Sequence, residues 1–285
     1  MTTINSCPAP EADLTLVINA AEGRLQVVAG SVCPAQPGDT SLLFSFEMTV
    51  PRQGTEVLAP AIHDAMSRMR VSMKEIRRIA VINGPGGFTG LRLALATTLG
   101  LSRALAVPTA GISYTEALAT DAAQVLAATG TTTESGKPVL WAILHARRDQ
   151  VMVQGFTLQA DGQTAPLQQV TTFSVSEASR HIVALTQGNN GHAYFFGSGL
   201  RRNMQAIKEA MTASTLPCTM LPSRFDHVRP ETMLAMTTHA QWDHEPVEPE
   251  YVRGCDAEEN LPRLAAARGM EPELAVKTLR KLTSS

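Results

Sequence analysis

The chain of 285 residues is poor in the features that mark specialised classes of protein. Cysteine occurs four times, as Cys7, Cys33, Cys218 and Cys255. These are scattered, with no Cys-x-x-Cys pair and no histidine at ligand spacing, which argues against a disulfide framework and against a zinc site. Positive charge is not in excess. Lys and Arg number 24 against 26 Asp and Glu, the formal net charge is −2 and the pI is about 6.4. Nothing in these totals drives long-range capture of nucleic acid, so a role on RNA would need another subunit to supply most of the grip. Long apolar runs are missing too. The least polar helical stretch, Leu93 to Leu101, lies between Arg92 and Arg103 and is too short to span ~30 Å of hydrocarbon. The opening "MTTINSCPAPEAD" lacks a basic region followed by an apolar one, so a cytoplasmic protein with no membrane contact is expected. What is plentiful is apolar content, 44%. That suffices for two core-building units at ~100–200 residues per domain.

The order of elements suggests a duplication. Leu14–Ile18 and Leu25–Ala29 are apolar runs joined through Glu22-Gly23, a hairpin signal. Ser41–Met48 is a third strand after the Pro34–Gly38 loop. Val57, Leu58, Ala61, Ile62, Ala65, Met66 and Met69 then recur at helical spacing. Pro60 predicts an irregular start to that helix, because it cannot donate a backbone hydrogen bond. "SMKE", Ser72 to Glu75, is a capping box. A buried strand, Ile79–Ile82, leads into a glycine loop and a helix over Thr89–Leu105. The later half repeats the pattern. Val139–Leu144 and Val151–Leu158 are strands about a turn at Arg147-Arg148-Asp149, and Leu167–Thr172 is a third. A helix capped by Ser174 and Glu177 follows, then a strand through Tyr194-Phe195-Phe196, a small glycine turn (Gly197, Ser198, Gly199) and another helix. An offset of roughly 110–125 residues suits a duplicated domain. The expected fold is α/β, two ribonuclease-H-like lobes in an actin-like (ASKHA) arrangement. The expected divisions are a flexible tail over 1–13, a first lobe over 14–112, a second over 113–255, and an extension with a short helix, "EPELAVKTLRKL", over 256–285. Residues Asp121–Lys137 read as an insert of no assigned role.

The glycine loop is Asn83, Gly84, Pro85, Gly86, Gly87, Phe88, Thr89 and Gly90. Successive N–H groups before a helix start form an anion-binding concavity, with the helix dipole adding ~0.3–1 kcal/mol. Neither GK[ST] nor GxGxxG follows, so a tight turn that packs the helix on the sheet explains the residues equally well. Along the next helix, Ala96, Gly100 and Ala104 fall at i, i+4 and i+8, a strip of small residues. Gly100 costs ~1 kcal/mol relative to Ala in a helix interior, which points to close packing, either within the chain or with a partner helix.

The stretch "NGPGGFTGLRLALATTLGLSRALAVPTAGISYTEAL", Asn83 to Leu118, resembles the bacterial TsaB (YeaZ) proteins, whose signature is close to G-P-G-S-F-T-G-L-R before an Ala/Gly-rich helix. Gly87 stands in place of the usual serine. "RQGTEVLAPAI", Arg52 to Ile62, resembles a second family segment, with Gly54 in place of histidine. "HARRDQVMVQGF", His145 to Phe156, and "PEYVR", Pro249 to Arg253, resemble two more. The resemblance covers most of Leu14 to Arg253. It implies a non-catalytic paralogue of TsaD, the transferase that places threonylcarbamoyl on the adenosine next to the anticodon of certain tRNAs. It further implies pairing with a TsaD relative through first-lobe helices and help in recruiting the ATPase TsaE, with the threonylcarbamoyl-adenylate made by TsaC or a relative. ATP and magnesium would be used by those partners, and tRNA met only through the complex. On this reading there is no catalytic residue and no metal or cofactor of the chain's own. The partner interface comprises Val57, Ile62, Ala65, Met66, Met69, Leu95, Ala96, Gly100 and Ala104, and a homodimer of the chain alone stays open.

The departures from the family fit that reading. Asn19 stands where actin-like ATPases carry a carboxylate that helps hold the hydrated metal, and His145 stands where the family has aspartate. Neither supplies the negative charge a magnesium–phosphate site needs. The metal-binding H-x-x-x-H of TsaD relatives does not occur. Asp149 reads as a solvated turn residue, His63 as solvent-facing, and Arg147-Arg148 as an exposed hairpin tip that could also touch phosphate. Two alternatives remain: an ATP-dependent kinase or metallopeptidase-like enzyme of the same fold, and a homodimer with a binding role unrelated to tRNA.

Overall fold

The first apolar runs form a meander, β1 (Leu14–Asn19), β2 (Arg24–Val32) and β3 (Thr40–Thr49). The computed structural model describes residues 14–32, 40–49, 54–128, 137–159 and 162–252, with 261, 265–269, 271 and 273. After the meander come α1 (Gly54–Arg68), a 3-10 turn (Met73–Glu75), β4 (Ile76–Gly84), α2 (Phe88–Leu105), β5 (Thr109–Ser113) and α3 (Tyr114–Ala128). The second series is β6 (Lys137–Arg147), β7 (Gln150–Leu158), β8 (Thr164–Pro166), β9 (Thr171–Ser174), α4 (Val175–Gly188), β10 (Gly191–Phe196), α5 (Ser198–Arg202), α6 (Met204–Ala213), β11 (Cys218–Met220), a 3-10 turn (Ser223–Asp226) and α7 (Pro230–Met236).

Two sheets result. The first has the order β3-β2-β1-β4-β5; β1–β2 and β2–β3 are antiparallel, and β4 is parallel to β1 and β5. The second has the order β11-β10-β6-β7-β8, with β9 also pairing β7. Each is a hairpin-plus-parallel-strand lobe, and together they make the two ribonuclease-H-like lobes of an actin-like arrangement. Leu16, Ile18, Leu25, Val27, Ile79 and Val81 face α1 and α2 from the first sheet. Val139, Trp141, Ile143, Val151, Val153 and Phe195 face α4 and α6 from the second. The capping boxes at Ser72/Glu75 and Ser174/Glu177 both form.

Four features differ from the sequence reading. Pro60 lies inside a continuous α1. It and Glu56, whose carbonyl it cannot engage, are both exposed, so the break in the helical bonding falls on the solvent side of α1. The single strand expected over Leu167–Thr172 is instead two, β8 and β9, which pair opposite halves of β7. The chain bows out between them, where Gln154 Nε2 donates to the Gln168 carbonyl at 3.1 Å. The helix after the second glycine turn breaks into α5 and α6 at Asn203 (φ −120°). Finally, Asp121 to Ala128 belongs to α3, a helix packed on strands of both sheets. It buries nine of its fifteen residues, so no amphipathic stripe announces it. Residues 129–136, the tail over 1–13 and most of the expected terminal helix lie outside the described residues.

By its internal contacts the chain divides into two units, Met1–Glu250 and Tyr251–Ser285. In the second, Arg268 N–H and Gly269 N–H close a helical turn on the Ala265 and Ala266 carbonyls. In the first, the segment Pro230–Glu250, within the span expected for the second lobe, returns to the first sheet. There α7 packs on β2 and β3, Thr109 pairs with Asp243, and Val247 joins the first core. No helix among the described residues is long and apolar enough to cross a membrane.

Asp121 fastens this return. Its buried carboxylate accepts bonds from Arg229 Nε at 2.7 Å, the Arg229 backbone N–H at 3.0 Å and the Thr232 hydroxyl. Asp121→Ala orphans all three donors at the start of α7. We expect a loss of ~2–4 kcal/mol, measured by urea unfolding, against well under ~1 kcal/mol for the exposed Asp149→Ala.

Candidate functional site

The lobes meet where three turns approach: the β1–β2 turn, the glycine loop and the second glycine turn. Each is held by bonds within the chain. The glycine loop lies directly on the β1–β2 turn. A Cβ at Gly86 or Gly90 would be driven into the carbonyl oxygens of Ala21 and Ala20, so these glycines are required by close backbone approach. Gly87 N–H, at the start of α2, donates to the Ala21 carbonyl at 2.6 Å. On the other side, Asn83 Nδ2 donates to the Glu248 carbonyl at 2.9 Å and Glu250 N–H to the Asn83 carbonyl at 2.8 Å. The Arg92 guanidinium lies over the Phe88 ring, 3.6 Å from its centroid. Gly84 and Pro85 are buried, and Thr89 is exposed.

Asn19 is buried and engaged at both ends of its amide. Its Oδ1 accepts Ala21 N–H at 2.9 Å, and its Nδ2 donates to Gln26 Oε1 at 2.6 Å. Gln26 in turn donates to Glu47 and to the Val228 carbonyl. At the second glycine turn, Gly197 N–H donates to Asp226 Oδ1 at 2.9 Å. Arg201 grips the same carboxylate through Nε at 2.7 Å and Nη2 at 3.1 Å. Both glycine turns therefore spend a key N–H on the chain's own oxygen, where an anion cradle would aim it at phosphate.

A hydrogen-bond relay crosses between the lobes. His145 N–H donates to Ser198 Oγ at 3.0 Å, and Ser198 Oγ–H donates to Glu22 Oε1 at 2.8 Å. Glu22 Oε2 is buried and has no partner. Burial first, and Asp226 to a lesser degree, push the Glu22 carboxyl up from 4.5 to about 7, against the opposing effects of Ser198 and Arg202. Burial likewise pushes the Tyr114 phenol well above its ordinary value; its hydroxyl donates to the Asp226 carbonyl at 3.3 Å.

These groups do not suit a hydrated magnesium ion. Asn19 is neutral and committed, Asp226 is neutralised by Arg201, and Glu22, with a pKa of about 7, is only half ionised at neutral pH. Among the described residues no three His, Cys, Asp or Glu side chains come together as a metal site.

The residues expected at a partner interface separate. Ile62 and Met66 are 3% and 2% exposed and belong to the first core. They anchor α1 to the sheet, which corrects their assignment to a partner surface. Val57, Ala65 and Leu95 are half-buried; Met69, Ala96, Gly100 and Ala104 are exposed. A Cβ at Gly100 meets nothing within 4 Å, so the close packing within the chain that was left open does not occur there. His63 and Asp149 are solvent-facing, with Asp149 paired to Arg148 at 3.7 Å. The sequence reading missed Glu22, Ser198, Arg201 and Asp226 as a group. Both turns carried glycine signals, but nothing local joins residues so far apart in the chain.

Fold and site together define a two-lobed α/β protein of the actin-like class whose cleft turns are closed by internal hydrogen bonds. The comparisons agree with that class. A family model described as TsaD, tRNA N6-adenosine threonylcarbamoyltransferase, matches residues 49–213. A relative from Buchnera aphidicola subsp. Baizongia pistaciae (strain Bp), described as tRNA threonylcarbamoyladenosine biosynthesis protein TsaB, is 35% identical over 78 residues, 27% of this chain and 35% of that one. A relative of the same description from Escherichia coli (strain K12) is 32% identical over 63 residues, 22% of this chain and 27% of that one. The aligned stretch thus spans only about a third of these relatives' length. The solved structure of YeaZ from Pseudomonas aeruginosa superposes with a TM-score of 0.57 at 20% identity, covering 84% of this chain and 99% of that one. The chain belongs to the TsaD-like family, on its TsaB (YeaZ) branch.

Two predictions follow from the turns. Gly86→Ala or Gly90→Ala should cost ~1–3 kcal/mol, read as a lowered melting temperature, because neighbouring backbone must move. Glu22 gives a pH signature. With a folded pKa of about 7 against 4.5, the folded chain keeps a proton that the unfolded chain releases. Its contribution to stability is therefore greatest at acid pH, falls as pH rises between those values, and is level above them. Glu22→Gln should remove that slope. The melting difference between variant and native chain should widen by up to ~1.4 kcal/mol per pH unit in that window.

Proposed function

We propose that the chain is a non-catalytic subunit in tRNA threonylcarbamoyladenosine biosynthesis, pairing with a TsaD relative and helping to recruit a TsaE relative. The observation that carries this reading is the contrast between its two candidate surfaces. Each glycine turn of the cleft spends an N–H on the chain's own oxygen, and the cleft is poor in the charge a magnesium–phosphate site needs. The outer face of α2 is instead open along Ala96, Gly100 and Ala104, with Leu99 and Met69 exposed at 38% and 40%. Small side chains there let a partner helix approach toward the low end of the usual ~8–10 Å interaxial range. The helix-interior glycine, unexplained by contacts within the chain, is explained by that approach. On this reading ATP and magnesium are used by the partner subunits, and the work is cytoplasmic. The same face would pair two copies when no partner is present.

The test is association. Sedimentation of the chain with a TsaD relative should show a complex burying ~1,200–2,000 Å² in total. Gly100→Leu should weaken that complex at least ~10-fold, while the lone chain melts at or above its native temperature, since the new side chain meets open space and removes a helix-interior glycine. Unchanged association of the Leu variant would remove α2 from the interface.

A further inference from the structure

The end of the first lobe opposite the glycine loop carries cations that the fold does not use, bordering the pairing face at Met69 and Ala104. α1 and α2 both finish at this end, where β4 and β5 begin. Arg68 closes α1, Arg70 occupies the left-handed turn after it (φ 55°), Lys74 stands in the 3-10 turn, Arg77 is the second residue of β4, and Arg103 lies in the last turn of α2. All five are exposed. Among the described residues none of them forms an ion pair. Helix dipoles account for Arg68 and Arg103, each at a helix C-terminus. They do not account for Arg70, Lys74 and Arg77, which lie in turns and a strand. Arg77 falls at a register shift in the β1–β4 pairing, between Leu14–Ile76 and Thr15–Arg78. Irregularities of this kind re-aim side chains, and Arg77 is exposed while Ile76 and Ile79 are buried.

Nearby acids offset the cluster only in part, four carboxylates against its five cations. Asp64 contacts His63 at 3.3 Å, and Glu75 accepts the Ser72 N–H at 2.7 Å. Asp243 and Glu245 lie beyond the β5 edge, where the Asp243 carboxylate accepts the N–H groups of His244 and Glu245. A surplus of positive charge thus gathers at one end of a chain whose formal net charge is −2.

We propose that this end contacts the phosphate backbone of tRNA, so that the chain supplies part of the electrostatic grip itself. The choice of RNA rests on the reading that the chain works in tRNA modification; the patch is described without it. An array of separate cations fits a backbone with regularly spaced phosphates, and the arginine forks suit phosphate oxygens. A protein partner fits less well. Stable protein interfaces need a desolvated apolar centre, and among the described residues the large hydrophobics exposed near these cations are Met69 and Leu99, both already assigned to the pairing face.

The experiment uses the assembled complex and fluorescently labelled tRNA over a salt series, read by anisotropy. Assembly is followed separately by sedimentation. Compared with the native chain, R70Q/K74Q/R77Q should leave assembly intact, weaken tRNA binding ~10-fold or more at low salt, and shrink the slope of log K against log salt by about 2–3. Should the triple variant misfold, Lys74→Gln and Arg77→Gln singly should each remove about one unit of slope. Unchanged affinity and slope would overturn the proposal. So would loss of assembly by a folded variant, which would make the patch a docking surface for an acidic protein. If the native chain forms no complex, the pairing role fails on its own, and the same salt series on the lone chain decides the patch: a slope that shrinks in the variant supports it, and a slope that does not overturns it.

Discussion

The Ala21 carbonyl accepting the Gly87 N–H and the Asp226 carboxylate accepting the Gly197 N–H organise the centre of this molecule. A glycine turn ahead of a helix is a ready anion site only while its N–H groups are unspent. Here one turn is occupied by the main chain of the neighbouring hairpin. The other is occupied by a carboxylate that Arg201 already neutralises. The glycines survive because the backbones touch: Gly86 and Gly90 lie against Ala21 and Ala20 with no room for a Cβ. These contacts give the loop a packing role.

The same constraint joins the lobes. The relay from His145 through Ser198 to Glu22 ends on a buried carboxyl that ionises at a cost. A second tie runs through α3, which packs on strands of both sheets, and Asp121, which holds the returning segment at Arg229 and Thr232. With the cleft tied in these places, two open features on the outside of the first lobe stand out. They are the small-residue face of α2 and the basic end where α1 and α2 finish. The roles proposed for the chain draw on these two surfaces.

Much of this architecture was legible in the sequence because its signals are local. Alternating apolar runs, two capping boxes and glycine turns after buried strands define most elements of both lobes. α3 was not legible, since a helix buried on most sides has no polar face to set its period. Nor was the break between β8 and β9, which depends on a side chain of β7 reaching a backbone carbonyl. For the candidate site, the absence of charge at Asn19 could be read directly. The engagement of Asn19 with Gln26, and the meeting of Glu22 with Ser198 and Asp226, could not, because each joins residues from separate turns. Ile62 and Met66 were misplaced for a related reason. A helical stripe identifies the apolar face of α1 but does not say how much of it the sheet beneath consumes.

The central claim is that the lone chain's cleft does not hold a metal-bound nucleotide. Titration calorimetry of the isolated protein with magnesium-ATP tests it most directly. The account predicts no saturable heat and no release of phosphate. Micromolar binding (about −8 kcal/mol) accompanied by turnover would contradict it.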